Sequence, residues 1–237
     1  MVPKDICPKD RLIFAMDVPD CDAAMALAQE LGDAVTFYKL GLELMMSGRY
    51  FELLDWMLAR DKKVFCDLKF FDIPATVGSA VRQLKDRGAS FVTVHGNQSI
   101  MEAAAENKGD TLKVLGVTVL TSLDRGDLDD LGFDCDVGEL VLSRARRALE
   151  AGCDGVISSG LEVPRLREFV DDRLVVVTPG IRPVDNKPAG DQKRVVTVET
   201  AFSNGADYIV VGRPIREAAS PREAAESIQA SIEVQFT

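Results

Sequence analysis

The sequence predicts an α/β protein, a (β/α)8 TIM barrel formed as a single domain. Three observations carry that prediction. Eight short apolar, β-branched runs recur along the chain, segments of helical period separate them, and 237 residues is close to the roughly 250 such a barrel needs. The runs are 12–18, 35–41, 63–69, 91–96, 114–120, 155–159, 174–180 and 208–213. Near-continuous apolar runs belong to strands buried on both faces, as in parallel sheets covered by helices.

Ala23, Leu27 and Leu31 follow the first run at helical spacing, and Phe51, Leu54 and Leu58 follow the second. Val77, Val81 and Leu84 follow the third, and Leu140, Ala145 and Leu149 precede the sixth. Gly32, Gly88, Gly152 and Gly205 stand where helices should end before the next strand. A doubly wound open sheet is the competing arrangement. It usually has a glycine-rich first turn, and Val18, Pro19 and Asp20 do not provide one. No linker divides the chain, so residues 1–237 are expected to form one domain. The connections 121–137 and 182–197 exceed the usual 2–6 residues, and in a barrel both lie on the C-terminal face where ligands bind. The second, rich in Pro, Asp, Lys and Gly, suits a lid.

Composition narrows the chemistry. Lysine and arginine total 28 against 38 aspartate and glutamate, a net charge of −10. Such a surface repels nucleic acid and anionic membranes, so a phosphorylated ligand must be gripped by a few local cations. No apolar run reaches the roughly 18 residues of a membrane span, and the first ten residues lack the apolar core of a secretory leader. The expected location is the cytoplasm. Five scattered cysteines without a CxxC pair argue against disulfides and a cysteine zinc site. The single histidine, His95, precludes multi-histidine metal sites and has no serine-nucleophile motif to serve. It is read as a rim residue, Trp56 as core or interface, and Cys66 as packing on the opposite side of its strand from Asp67. What remains is carboxylate and lysine chemistry.

Charged side chains interrupt the apolar strands near their C-terminal ends. Asp17 ends the first run, Lys39 lies in the second, Asp67 and Lys69 lie in the third, and Arg213 ends the eighth. A charge entering a barrel mouth is costly unless it is paired or used. Asp67 and Lys69, two apart in a strand, project to one side. With Asp72 they make a DxKxxD string. At roughly 6% per charged residue type, that string arises by chance in about one chain in twenty, so its placement carries more than its pattern. Bland roles suit the same residues. Asp72 could cap the helix beginning near Pro74, Asp67 and Lys69 could be a structural ion pair, and Asp17 could close an Asx turn.

Seven segments in chain order resemble orotidine 5′-phosphate decarboxylases of the bacterial form. They are FAMDV at 14–18, FYKLG at 37–41, DLKFFDIPATV at 67–77, VTVLTS at 117–122, TPGIRP at 178–183, GDQ at 190–192 and VVGRPI at 210–215. The resemblance implies a barrel that turns orotidine 5′-monophosphate into UMP and CO2 as a homodimer, with no metal and no organic cofactor. It implies Lys69 as proton donor to C6 of the pyrimidine, within a network of Lys39, Asp67, Lys69 and Asp72. Asp72 and Thr76 would come from the partner subunit. Asp17 and Lys39 would meet the ribose, Thr121 and Ser122 the ring, and Arg182, Gln192, Gly212 and Arg213 the phosphate. One rival is the sister 3-keto-L-gulonate 6-phosphate decarboxylase group, which uses Mg2+ and carries a glutamate where Lys39 stands. The other is a catalytically silent phosphosugar-binding barrel, which would have no use for four charges at the mouth.

Overall fold

The structure is a computed structural model that describes residues 4–182 and 194–236. Eight strands close a parallel barrel in chain order: β1 (Leu12–Ala15), β2 (Phe37–Leu40), β3 (Lys63–Phe70), β4 (Phe91–Val94), β5 (Lys113–Val117), β6 (Gly155–Ile157), β7 (Val175–Thr178) and β8 (Tyr208–Val211). β8 pairs back onto β1, so no edge is left open. Each strand lies inside, or within a residue of, the run that predicted it, and at least one helix follows every strand. The long connection 121–137 is not structureless: it holds the short helix Arg125–Asp130, closed by a capping box of Asp124 and Asp127.

Alternation sorts the side chains into two buried layers. Ile13, Phe37, Phe65, Phe91, Leu115, Val175 and Tyr208 point inward and form one apolar cluster. Their neighbours, among them Leu12, Phe14, Tyr38, Val64, Cys66 and Val92, belong to the layer beneath the helices. Four of the inner residues are aromatic and pack together, with Phe37 and Phe91 ring centres 4.9 Å apart and Phe91 and Tyr208 5.2 Å apart. This packed plug forms the floor on which the mouth residues stand, as in other barrels filled by side-chain layers.

The N-terminal end of the barrel is fastened by one buried carboxylate. Asp207, just before β8, accepts hydrogen bonds from Lys4 Nζ at 2.9 Å, Arg167 at 2.8 Å and the Val176 amide at 2.8 Å. It lies at the opposite end from the mouth, where a barrel carries stability rather than catalysis. All five cysteines are free thiols. Cys66 is buried, and burial pushes its thiol up to about 11, as expected of a packing residue. Among the described residues no helix is long and apolar enough to cross a membrane.

Candidate active site

The parity that buries Phe37 and Phe65 also aims the next inward positions, Lys39 and Asp67, into the mouth. Ala15, Lys39 and Phe65 lie side by side across β1, β2 and β3. A cavity of about 480 Å3 opens above Phe65, between β1–β3 on one side and the loops after β5, β7 and β8 on the other.

On its acidic and basic wall, Asp67 accepts from Lys69 Nζ at 2.9 Å and from Thr93 Oγ1 at 2.9 Å, with Lys39 Nζ 3.5 Å from its other oxygen. Lys39 also donates to Asp17 at 3.1 Å. The chain Asp17, Lys39, Asp67, Lys69 therefore alternates in sign and grows more exposed at its two ends. Burial pushes the Asp67 carboxyl up, but Lys39, Lys69 and the Thr93 hydroxyl outweigh it and hold the group below the usual carboxylate range. Burial likewise pushes the Lys39 ammonium down, and Asp67 and Asp17 more than compensate, so its affinity for the proton is raised. Both groups are ionised at neutral pH despite their burial.

Lys69 reaches this position by a route that alternation does not describe. Three residues of β3 lie between Cys66 and Phe70 where β4 has one, Thr93, between Val92 and Val94, a bulge. Within it Lys69 has φ +46°, a left-handed backbone that a residue with a Cβ rarely adopts. Its amide donates to Thr93 Oγ1 at 3.0 Å, so one buried threonine holds both the strained backbone of Lys69 and the carboxylate of Asp67.

Thr121, Ser122, Arg182, Gly212 and Arg213 all line the same cavity, as does Arg216, and Val117, Val119 and Ile157 give it an apolar side. Gly180 turns into the cavity with φ +79°, where a side chain would be strained. At Gly212 a Cβ would meet that of Ala15 at 3.2 Å and an Asp17 oxygen at 3.6 Å. Gln192 lies outside the described residues, as does most of the predicted lid.

The bland alternatives resolve separately. Asp72 is not the helix cap: Ile73 holds that position, Pro74 opens the helix Pro74–Lys85, and Asp72 Oδ1 accepts from the Ile73 amide at 2.6 Å. Asp72 and Thr76 are exposed and line no part of this chain's own cavity. No Asx turn at Asp17 is found among the described residues: its carboxylate accepts from Lys39 Nζ at 3.1 Å, and Asp20 caps the helix Cys21–Leu31. His95 stands off the cavity, edge-on to Phe71, and burial, Arg144 and Lys69 lower its proton affinity. Trp56 packs against the core under the guanidinium of Arg60. Two residues were missed from sequence. Thr93 carried a signal, since it shares the inward parity of Phe91. Arg216 carried none, because the short helix Arg213–Arg216 is what turns it to the mouth.

No three His, Cys, Asp or Glu residues among those described are grouped to hold a metal ion. A closed barrel whose mouth sets paired lysines and carboxylates beside arginines is the frame of an enzyme acting on a small anionic ligand. The chain belongs to the orotidine 5′-phosphate decarboxylase / HUMPS family, whose sequence model matches residues 10–228. It is 68% identical to the orotidine 5′-phosphate decarboxylase of Methylococcus capsulatus over 98% of this chain and 96% of that one. It is 50% identical to that of Xanthomonas axonopodis pv. citri over 97% and 95%. The crystal structure of orotidine 5′-phosphate decarboxylase from Lactobacillus acidophilus superposes with a TM-score of 0.83 at 34% identity, covering 94% of this chain and 99% of that chain.

Proposed function

We infer that the chain decarboxylates orotidine 5′-monophosphate to UMP and CO2, and that Lys69 supplies the proton which replaces the carboxylate. Heterolysis of the C6–carboxylate bond releases CO2 and leaves its electron pair on C6. The pair is poorly delocalised, so the catalyst must provide fixed positive charge and then a proton. The observation that carries this reading is the Lys69 ammonium at the cavity wall, 2.9 Å from a buried carboxylate that keeps it aimed. Lys69 gives up its proton to C6 and recovers one from solvent after release.

Asp67 also faces the substrate carboxylate, and two like charges in one site raise the ground state. Asp17 and Lys39 suit the ribose hydroxyls, and Thr121 and Ser122 the edge of the ring. Arg182, Gly212 and Arg213, with Gln192, suit the phosphate: guanidinium groups form paired hydrogen bonds to its oxygens, and the glycines let the backbone approach. Asp72 and Thr76 serve the partner's site in a homodimer, which accounts for charged and polar side chains standing exposed beside Phe71 and Ile73. The barrel acts as one domain, in the cytoplasm, and without metal or organic cofactor. Lys39 Nζ, between Asp17 and Asp67, fills with an ammonium the place where a sister enzyme would need another oxygen ligand for Mg2+.

The test follows the loss of orotate absorbance on adding orotidine 5′-monophosphate. Turnover unchanged in EDTA supports the reading. An inert enzyme, or one that requires Mg2+, overturns it.

A further inference from the structure

We propose that Arg194 is a positioning residue that ties the phosphate end of the cavity to its ring end. This rests on the functional reading above and adds to it a residue that touches no substrate. Arg194 closes the long connection after β7. Two residues on, Val196 forms a parallel bridge with Ile181, accepting from the Arg182 amide at 3.0 Å and donating to the Gly180 carbonyl at 3.2 Å. The strip 194–196 is thus locked to 180–182, which carries two cavity residues.

From that strip the Arg194 guanidinium crosses to the other wall. One terminal nitrogen is 2.6 Å from Glu162, in the loop after β6, with both side chains only about one-tenth exposed. The other donates to the Leu120 carbonyl at 3.0 Å and the Val119 carbonyl at 3.3 Å. Those carbonyls immediately precede Thr121 and Ser122, and all four residues line the cavity. One largely buried cation therefore joins the loops after β5, β6 and β7. Only a planar fork can reach a carboxylate and two carbonyls at once, which a lysine ammonium in the same place would not span.

The pair is poorly built for stability alone. Arg194 Nε and Glu162 Oε2 are buried without a hydrogen bond among the described residues. A buried ion pair left partly unsatisfied adds little to folding, whereas it fixes geometry well. Seating of the phosphate at Arg182 is thereby felt at the backbone that holds Thr121 and Ser122.

The experiment compares kcat/KM for orotidine 5′-monophosphate and for orotidine, which lacks the phosphate, in wild type, Arg194→Met, Arg194→Lys and Glu162→Gln. Arg194→Met should lose about tenfold on the phosphorylated substrate, within the usual range for coupled sites, and change orotidine turnover little. Arg194→Lys should fail to restore the loss, and Glu162→Gln, which keeps an acceptor, should lose less. Equal losses on both substrates, or no loss on either, would overturn the proposal. Should Arg194→Met not fold, Glu162→Gln decides it by the same ratio. A wild type inert toward orotidine 5′-monophosphate would instead overturn the functional reading itself.

Discussion

Replacing Lys69 with alanine removes a cation and a proton from one point of the cavity, and the size of the effect follows from what surrounds it. A positioned general acid contributes about a hundred- to ten-thousand-fold, and one preorganised electrostatic contact at a developing anion about a hundred- to a thousand-fold. Together these come to about 10^4–10^7 in kcat, or roughly 5–10 kcal/mol at 1.36 kcal/mol per decade. Among the described residues lining the cavity, no other lysine is free to replace the lost group. Lys39 Nζ is committed to Asp17 at 3.1 Å and Asp67 at 3.5 Å, and lies deeper beside β2. Asp67 would keep only Lys39 and Thr93 as partners, so its uncompensated charge would repel the substrate carboxylate more strongly. KM for orotidine 5′-monophosphate should therefore rise while kcat falls. UMP, which has no carboxylate, should bind Lys69→Ala with nearly unchanged affinity. The assay is the fall of orotate absorbance, with UMP affinity from calorimetry. Turnover within tenfold of wild type would refute Lys69 as proton donor, and loss of UMP binding in step with kcat would point to a collapsed site.

The backbone of Lys69 gives a second test: Lys69→Gly should be as inactive as Lys69→Ala but more stable. A Cβ at φ +46° costs about 1–2 kcal/mol, partly offset by the looser unfolded chain of glycine, and about 1 kcal/mol corresponds to 2–4 °C in melting temperature. Asp67→Asn should destabilise in a pH-dependent way. Asp67 has a folded-state pKa below its unfolded value, so its contribution is present above about pH 4 and lost as pH falls through the lower value. The melting-temperature gap to wild type should narrow on acidification, and a gap constant down to about pH 2 would contradict this. Asp207→Ala should cost about 3–5 kcal/mol, or some 6–20 °C, by stranding Lys4 and Arg167, yet leave KM unchanged below the transition. An altered KM would show that the base of the barrel is felt at the mouth. Finally, equal mixtures of inactive Asp72→Ala and Lys69→Ala should regain about a quarter of wild-type sites if subunits exchange, because mixed dimers hold one intact site. No recovery, with exchange verified, would place Asp72 in its own chain's site.

Much of this molecule could be read from its sequence because two periodicities are local. The alternation that buries Phe37 and Phe65 also sends Lys39 and Asp67 to the mouth, and the helical spacing of Leu140, Ala145 and Leu149 falls within the helix Val137–Glu150. Closure of the barrel followed from the count of units, since eight parallel strands with helices between them leave no edge when joined first to last. Tertiary structure alone decided where the strict rule is broken. The bulge in β3 turns Lys69 toward Asp67 through a left-handed backbone, and it depends on Thr93, 24 residues away. Arg194 and Arg216 looked like ordinary loop and helix arginines. Their roles come from the carbonyls of Val119, Leu120 and Asp17, which only folding brings within reach. Spacing along the chain fixes which face a side chain takes. Which distant backbone group meets it there is set by the loops, and no local pattern encodes that meeting.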